Sequence, residues 1–481
     1  MKFCLFFIPF WLPIVLLLTR RVSILGASAV ASGAAAVLYC VMAEPTLEGA
    51  GLELLKGVWL AVPIVSVILA GLLFHSLLTR FWIVRSVRPD ANSSSEGLRS
   101  VVFAACFLIG PFTEAATGFG VGLVIALGIL LRAGVPPRQA LLFSLFSQVL
   151  VVWGAFAVGT MLGATLADIG SPRDLGWRSA VLMTPIMFLW LILYWRICRA
   201  ADIRGTAGQL SKEALWVAGI CAALLFFSKH LDPDVIGIVV LGCAAALHGL
   251  APGGPGLRSK LVSAAPYIAL CASLILARLW MPFNQVLSNV TWRPFSDAPA
   301  WLPLLSPAFW LCLVGLFFSL LKADARGVRD VLLATWRRAR VAAAVTLLFV
   351  VCARFMIAGD VPGVLASELQ AQVGAAAAVV FSPILAAVAG FLTASNAASN
   401  SLLMPSVAAL AQAGGWDVAW IAAVQNVTGS ALSMLSPVRI VMGCAVAALG
   451  AGIMSDVYRR AWPLGLAPVL IMMLAALMLI Q

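Results

Sequence analysis

Charged side chains are scarce in this chain of 481 residues: they make up 10% of it, whereas 63% of the residues are hydrophobic. A soluble protein of this length needs a polar surface around its core, and this composition does not supply one. Apolar runs of roughly 17 to 25 residues, the length that crosses a bilayer as a helix, recur along the chain. We therefore predict an all-α integral membrane protein that passes through the lipid bilayer many times.

Several motifs that would indicate other functions are missing. The sequence has no phosphate loop of the GxxxxGK[ST] type, which argues against ATP-driven transport by this chain. The ten cysteines include no CxxC pair and the three histidines form no HxxxH motif, so we predict no metal site and no cofactor. The net charge of +12 comes without a soluble domain that would present it to nucleic acid. We therefore expect no nucleic-acid partner and interpret the excess of Lys and Arg as topology information.

The distribution of Lys and Arg predicts which loops face the cytoplasm. Loops rich in these residues lie at 80–99 and 196–213, whereas loops at 44–56 and 359–373 are poor in them. Under the positive-inside rule, the first two loops are cytoplasmic and the last two are external.

This sidedness constrains two apolar regions that small and polar residues interrupt, 100–131 and 375–412. With 138–166 and 417–452 taken as plain spans, each interrupted region must return to the face from which it entered. We therefore expect about 12 transmembrane helices plus two re-entrant hairpins of opposite orientation. The alternative is that each region is an ordinary span and one loop is assigned to the wrong side.

The two interrupted regions also resemble each other. GPFTEAATGFG at 110–120 and GFLTASNAASN at 390–400 each place a cluster of small polar residues after a Gly, a Phe and a Thr, and an amide, Gln148 or Asn426, follows at similar spacing. Together with opposite sidedness, this indicates an inverted repeat, which is typical of secondary transporters. The predicted parts are N-terminal transmembrane helices (1–99), a first hairpin repeat with following helices (100–197), central helices (198–374), and a second hairpin repeat with the last helices (375–481).

Glu114 is the only one of the nineteen acidic residues that we place deep inside an apolar region. An ionisable group is costly there and indicates a function, which for a carboxyl is proton binding and release; the alternative is a buried structural pair. Gly118 is expected to let the chain bend, while Thr113 and Thr117 satisfy backbone groups that the bend frees. For the glycines, a tightly packed kinked helix pair is an equal explanation.

Both hairpins resemble motifs of the lactate permease family, bacterial proton-coupled importers of L-lactate and related 2-hydroxy acids such as glycolate. The family pattern FLEGAAGFG resembles residues 112–120, and FLTGSxTSSN resembles 391–400. In the last part of the chain, ANTTGG resembles 425–430, MISPQSI resembles 434–440 and SDLFR resembles 455–459. The resemblance implies a lactate or glycolate:proton symporter in the cell inner membrane.

The resemblance also implies a substrate site at the two hairpins, where helix N-termini and side-chain donors replace water around an organic anion. Arg439 stands where the family has a small polar residue, and it is expected either to clamp the substrate carboxylate or to pair with Glu114. Arg354 is a further candidate, although it lies near a span end, as does Arg278, which we expect to reach the membrane surface. The remaining candidate substrate-binding residues are Thr113, Thr117, Gly118, Gln148, Thr393, Ser395, Asn396, Ser399, Asn400, Asn426 and Thr428.

Two other functions remain open from the sequence. The same fold with Na⁺ as the coupling ion, with another organic anion, or with export in place of import is the first alternative. An integral membrane enzyme is the second, but it would ordinarily show several His, Asp or Glu residues near one membrane face. The sequence leaves the oligomeric state open.

Overall fold

The computed structural model describes residues 8–18, 22–82, 95–249, 257–296, 298–322, 325–449 and 453–481. Within these ranges the regular secondary structure is helical, apart from one isolated bridge between Trp292 and Trp301. Nine described helices are long and apolar enough to cross a membrane, or up to 11 if each of two bent pairs counts as one span. The prediction of an all-α, multi-pass membrane protein is confirmed, with fewer described spans than the expected 12.

The helices differ widely in length, because several apolar regions of the sequence are divided into two or more shorter helices. The first eleven are α1 (Ile8–Leu18), α2 (Ile24–Ala43), α3 (Leu47–Phe81), α4 (Ser95–Ala104), α5 (Gly110–Thr117), α6 (Val121–Arg132), α7 (Pro137–Ser144), α8 (Gly154–Leu166), α9 (Pro172–Ala200), α10 (Ala207–Phe227) and α11 (Pro233–Gly249). The others are α12 (Leu257–Leu279), α13 (Met281–Ser288), α14 (Pro307–Leu320), α15 (Ala325–Ala358), α16 (Val361–Val373), α17 (Ala375–Thr393), α18 (Asn396–Gly414), α19 (Val418–Ser433), α20 (Pro437–Val446) and α21 (Met454–Leu479).

The first two long helices, α2 and α3, pack against α15. Helix α2 buries small residues four positions apart, Ala27, Ala31 and Ala35, and this spacing places them on one helix face. Such residues let helix backbones approach closely in a membrane. The Ser32 hydroxyl, on the same helix, donates a hydrogen bond to the Leu348 carbonyl of α15 at 2.5 Å. These helices flank the two hairpin repeats.

The first interrupted region is a helical hairpin. Its first arm comprises α4, a π-helical stretch at Ala105–Ile109 and α5, and its second arm is α6. The π-helical stretch ends next to Pro111, which has no N–H to donate to the preceding turn. The turn between the arms has three consecutive residues with positive φ, namely Gly118 (72°), Phe119 (57°) and Gly120 (78°). Glycine is required at Gly118, where an added Cβ would lie 2.5 Å from the Cβ of Ala155.

The span that follows the first hairpin is broken. Short 3₁₀ segments at Leu145–Gln148 and Val151–Trp153 separate α7 from α8, and the two halves are bent by 58°. At the start of α8, Ala155, Phe156 and Ala157 have φ values of 49°, 57° and 52°. A left-handed backbone costs an L-residue roughly 1–2 kcal/mol, so three such residues in a row are a strained feature.

The second interrupted region repeats this order of elements. Helices α17 and α18 form the hairpin, and its turn contains Ala394 with φ 56° followed by Ser395, whose side chain caps α18 by accepting from the Ala398 N–H. The following span is also broken, because α19 ends at Ser433 and α20 begins at Pro437. The Ser436 hydroxyl caps α20. Each repeat therefore consists of a helical hairpin and then a broken span.

Several segments differ in detail from the expectation. The segment 417–452 contains one candidate span, Val418–Val446, whose helix restarts at Pro437, and the segment 138–166 is bent by 58° at its 3₁₀ turns. Most of the supposed external loop at 359–373 is helix α16. The loop at 80–99, which we predict to be cytoplasmic, lies partly outside the described residues, and its Arg99 is a buried residue of α4. The first arm of each hairpin is long enough to cross a bilayer, so re-entry and inverted orientation stay predictions, as do the four parts of the chain.

Candidate functional site

Glu114 lies at the first hairpin turn and is almost fully buried, with 2% of its surface exposed. Its two carboxylate oxygens accept from the backbone N–H groups of Gly120 (3.1 Å, to Oε1) and Gly122 (3.0 Å, to Oε2). The Gln148 amide donates to Oε2 at 3.2 Å. The carboxylate therefore occupies the N-terminus of α6, where free N–H groups and the helix dipole favour a negative charge. Within the first hairpin, these donors bind Glu114 itself, whereas we had expected them to face the substrate.

Arg439, in the first turn of α20, joins the two hairpin turns. Its Nη2 lies 3.7 Å from Glu114 Oε1 and donates at 3.2 Å to the carbonyl of Ala394, the left-handed residue of the second turn. Arg439 is only 4% exposed, and its Nη1 has no hydrogen-bond partner among the described residues. The structure thus shows the pairing with Glu114, one of the two expected roles, and leaves one guanidinium nitrogen available.

A second polar cluster centres on Asn426 in α19. Its carbonyl oxygen accepts from the amides of Asn396 (2.8 Å) and Asn400 (2.9 Å), both in the first two turns of α18. Its own amide donates at 3.0 Å to the hydroxyls of Thr160 in α8 and Ser179 in α9. All five residues are buried. This cluster links the second hairpin to the broken span of the first repeat.

In both repeats, the amide that follows the hairpin reaches back to it. Gln148 contacts Glu114 in the first repeat, and Asn426 contacts Asn396 and Asn400 in the second. The similar sequence spacing of Gln148 and Asn426 therefore corresponds to a similar position in space.

Several buried amide oxygens in this region have no hydrogen-bond partner within the described ranges. They belong to Gln148, Asn396, Asn400 and Gln425. A buried polar atom without a partner costs free energy, so each marks a place where a ligand, an ion or water would bind favourably. The polar centre between the hairpins thus has unused acceptors near its amides and an unused donor on Arg439.

The hydroxyl residues of the predicted site mostly bond their own helices. Thr117 donates to the Thr113 carbonyl, and Thr113 donates to the carbonyls of Ile109 and Gly110. These bonds agree with the expectation that the two threonines satisfy backbone groups around the bend. In the second repeat, hydroxyls likewise bond backbone carbonyls; the residues are Thr393, Ser399 and Thr428.

The described contacts of Arg354 involve no residue of these two clusters. Its Nε donates to Glu53 in α3 at 2.5 Å, and Glu53 also pairs with Lys56. An ion pair with a side chain of α3 accounts for the position of Arg354 in an apolar helix without a substrate. Its role in substrate binding stays a prediction without geometric support from the two clusters.

Sequence reasoning missed two other buried carboxylates. Glu213 pairs through both oxygens with Arg99, and Asp234 pairs with Arg278 at 2.5 Å. Glu114 is therefore not the only buried acid, and Arg278 binds an acid at the place where we expected it to extend to the membrane surface. Thr160, Ser179 and Gln425 were also missed as members of the polar centre, because an isolated hydroxyl or amide in an apolar run carries no distinguishing signal.

The arrangement can bind an anion and a proton in one place. A carboxylate, a guanidinium and several amides are buried between two helical hairpins, each of which is followed by a broken span. Discontinuous helices with polar groups at their ends, in a polytopic membrane protein, are typical of membrane transporters. Within the described ranges, no group of three or more His, Cys, Asp and Glu is placed to hold a metal ion.

Comparison with known proteins indicates which family of transporters the chain resembles. The family model of L-lactate permease matches residues 300–481, which contain the second hairpin, α19 and α20. The resemblance to the lactate permease family is thereby confirmed for this part of the chain. The crystal structure of the Alcanivorax borkumensis YdaH transporter, reported to have an unusual topology, is similar at a TM-score of 0.43 and 16% identity, covering 86% of this chain and 84% of that one. No curated protein matches the chain.

Proposed function

We propose that this chain is a secondary active transporter that imports L-lactate, or a related 2-hydroxy monocarboxylate such as glycolate, across the bacterial inner membrane together with a proton. The observation that carries the proposal is the buried pair of Glu114 and Arg439, which joins the turns of both hairpins. The family match over residues 300–481 supports the class of substrate.

The pair suggests how proton and substrate binding are coupled. When Glu114 is ionised, it compensates the positive charge of Arg439 across 3.7 Å. When Glu114 is protonated, Arg439 becomes a buried cation without a counter-ion, which is unfavourable by several kcal/mol, about 3–5, until an anion takes the place of the carboxylate. Proton and monocarboxylate therefore bind favourably only together. One proton would accompany one anion, and the loaded site carries no additional charge.

The chemistry of the site also favours a small 2-hydroxy acid. A carboxylate accepts two parallel hydrogen bonds from a guanidinium, and Arg439 has Nη1 free for this purpose among the described groups. A neighbouring hydroxyl can donate to an amide oxygen, and those of Gln148 and Asn396 are buried without described partners. A substrate with a carboxylate and an adjacent hydroxyl would satisfy both kinds of group.

Transport by purified protein in liposomes tests this proposal. With an inward proton gradient and no sodium, we expect uptake of labelled L-lactate and glycolate, and no uptake of succinate. Uptake should be unaffected when the membrane potential is clamped with potassium and valinomycin, because one proton and one anion cross together. If neither monocarboxylate accumulates under any gradient while a dicarboxylate does, the proposed substrate is wrong.

The role of Glu114 is tested in the same assay. Glu114→Gln mimics the protonated acid, so proton-driven accumulation should be lost while exchange of internal for external L-lactate continues. Asp202→Asn is the matched control, because Asp202 is an exposed acid whose side chain is 89% accessible. Normal accumulation in Glu114→Gln would exclude Glu114 as the proton carrier.

Sodium coupling is the second candidate, and one observation favours it. The amide oxygens of Asn396, Asn400 and Gln425 are buried without described partners, and neutral oxygens of this kind are suitable ligands for a hard monovalent cation. Accumulation driven by a sodium gradient at equal pH on both sides, and abolished by Asn400→Ala, would establish this alternative in place of the proton.

A further inference from the structure

A cavity of about 290 Å³ lies outside the polar centre described above. Its walls come from α3, α8, the start of α11, the end of α12 and the segment 299–307. Small-molecule sites in proteins begin at roughly 300 Å³, so the cavity has room for a small organic acid. The predicted sidedness places it at the external end of the molecule, because α3, which lines it, begins within the loop at 44–56, which is poor in Lys and Arg.

Two walls of the cavity continue directly to the first hairpin turn. On α3, Val67 lines the cavity, and one helical turn further in, a Cβ on Gly71 would lie 2.9 Å from the Thr117 carbonyl. On α8, Phe156 lines the cavity, and the residue before it packs against Gly118. Thr117 and Gly118 are the residues at which the arm that carries Glu114 ends.

The wall formed by α11 reaches the same place. Asp234 lines the cavity, and one turn further along, a Cβ on Gly237 would lie 3.3 Å from the Cβ of Ala115, the neighbour of Glu114. Three helices that surround the cavity therefore converge on the hairpin turn of Glu114. Along α3, for example, one helical turn lies between Val67 at the cavity and Gly71 at the hairpin turn.

Three residues in the wall of the cavity each have a buried polar atom without a partner within the described part of the chain. These atoms are Oδ1 of Asp234, Nε of Arg278 and Nε1 of Trp301. The other oxygen of Asp234 binds Arg278 Nη2 at 2.5 Å, so an acceptor and a donor lie next to each other. Because Asp232 pairs with both Arg278 and Arg173, the four charges cancel.

These free groups match the chemistry of a 2-hydroxy monocarboxylate. Its carboxylate can accept from Arg278 Nε and Trp301 Nε1, while its hydroxyl donates to Asp234 Oδ1. A simple monocarboxylate would leave the Asp234 oxygen unpaired, and a cation would face two unused donors. We propose that the cavity is an outer binding site, occupied by the 2-hydroxy monocarboxylate before it reaches Glu114; this inference rests on the proposed function.

The test removes one free donor and leaves the charges intact. Trp301→Phe deletes the indole N–H and keeps an aromatic ring, so the apparent KM for L-lactate uptake should rise about tenfold, equivalent to about 1.4 kcal/mol, with little change in maximal rate. Trp310→Phe is the matched control: its indole N–H is also buried and without a described partner, but the residue does not line the cavity. Its KM should stay within twofold of that of the unchanged protein.

A second variant addresses the chance that Trp301→Phe disturbs the bridge to Trp292. Thr165 lies at the exposed rim of the cavity, and Thr165→Trp should obstruct it and slow uptake severalfold, whereas Thr165→Ser should not. If Trp301→Phe behaves like Trp310→Phe and Thr165→Trp transports normally, the outer site is refuted while uptake by the unchanged protein still supports the proposed function. If the unchanged protein moves no 2-hydroxy acid, the proposed function fails, and the outer site fails with it.

Discussion

Neutralising Glu114 and Arg439 together should destabilise the protein much less than the sum of the two single changes. Both side chains are buried, with 2% and 4% exposure, and Oε1 and Nη2 lie 3.7 Å apart. Removing one member of a buried ion pair costs about 3–5 kcal/mol, because the other charge is left without compensation. Glu114→Gln combined with Arg439→Gln leaves neither of these two charges uncompensated, so the loss in the double variant should be smaller than the sum of the two single losses.

The two single changes should also differ from each other. After Arg439→Gln, the Glu114 carboxylate keeps two backbone N–H donors at the start of α6 and the Gln148 amide. After Glu114→Gln, Arg439 keeps the Ala394 carbonyl as its described partner. The NH₂ group of the new glutamine would face the backbone N–H group of Gly120 or Gly122, so that two donors would oppose each other. We expect a loss of about 3 kcal/mol for Arg439→Gln and about 5 kcal/mol for Glu114→Gln, the two ends of the range for broken buried pairs.

Denaturant titration of the four proteins in mixed micelles of fixed composition measures these free energies of unfolding. A double-mutant cycle then gives the interaction between the two sites, which we expect to be about 3 kcal/mol, the upper end for residues in contact, so the double variant should lose about 5 kcal/mol where the two single losses add up to about 8 kcal/mol. Arg204 and Asp202, an exposed pair at 3.4 Å, provide a control cycle whose interaction should be close to zero. An equally small interaction for Glu114 and Arg439 would refute the idea that each charge compensates the other.

Three further predictions concern the second polar cluster and the orientation of the chain. Asn426→Leu removes the described partner of the Asn396 amide and of the Ser179 hydroxyl, so the free energy of unfolding should fall by about 3 kcal/mol and uptake should be lost. Gly159→Ala places a Cβ 2.7 Å from the side-chain amide nitrogen of Asn396 and should lower uptake at least tenfold. The control is Gly128→Ala, whose Cβ meets nothing closer than 3.8 Å and which should leave uptake unchanged. Equal activity of the two variants would contradict a role for the contact between Gly159 and Asn396. In intact cells, an impermeant thiol reagent should label Ser367→Cys from outside and Arg204→Cys only after permeabilisation, and labelling of both from one side would break the inverted arrangement.

Composition and periodicity were sufficient to predict an all-α membrane protein with two helical hairpins. The glycines at 118 and 120 marked the first turn, because positive φ is easily adopted only there. Gln148 and Asn426 were recognised as equivalent from their spacing alone, and the structure places each against its own hairpin.

The remaining features depend on contacts between distant parts of the chain. Arg99 pairs with Glu213 across 114 positions, and Arg278 pairs with Asp234 across 44. No local pattern announces such a pair, so the sequence left Glu114 as the only apparent buried acid. The left-handed turn at 155–157 was also unpredictable, because Ala and Phe ordinarily prefer a right-handed backbone and the contact of Ala155 with Gly118 joins residues that are distant in the sequence.

The left-handed turn at 155–157 is a strained piece of backbone close to Glu114 and Gly118. Three left-handed residues at roughly 1–2 kcal/mol each amount to about 3–6 kcal/mol. Shifting a two-state equilibrium from 1:99 to 99:1 takes about 5.5 kcal/mol. Relaxation of this one turn to a regular helix would therefore release a free energy similar to that needed to switch a transporter between its two faces. Because Ala155, in the first turn of α8, packs against Gly118, a movement of the hairpin that carries Glu114 would remove a contact that holds this turn in its left-handed conformation.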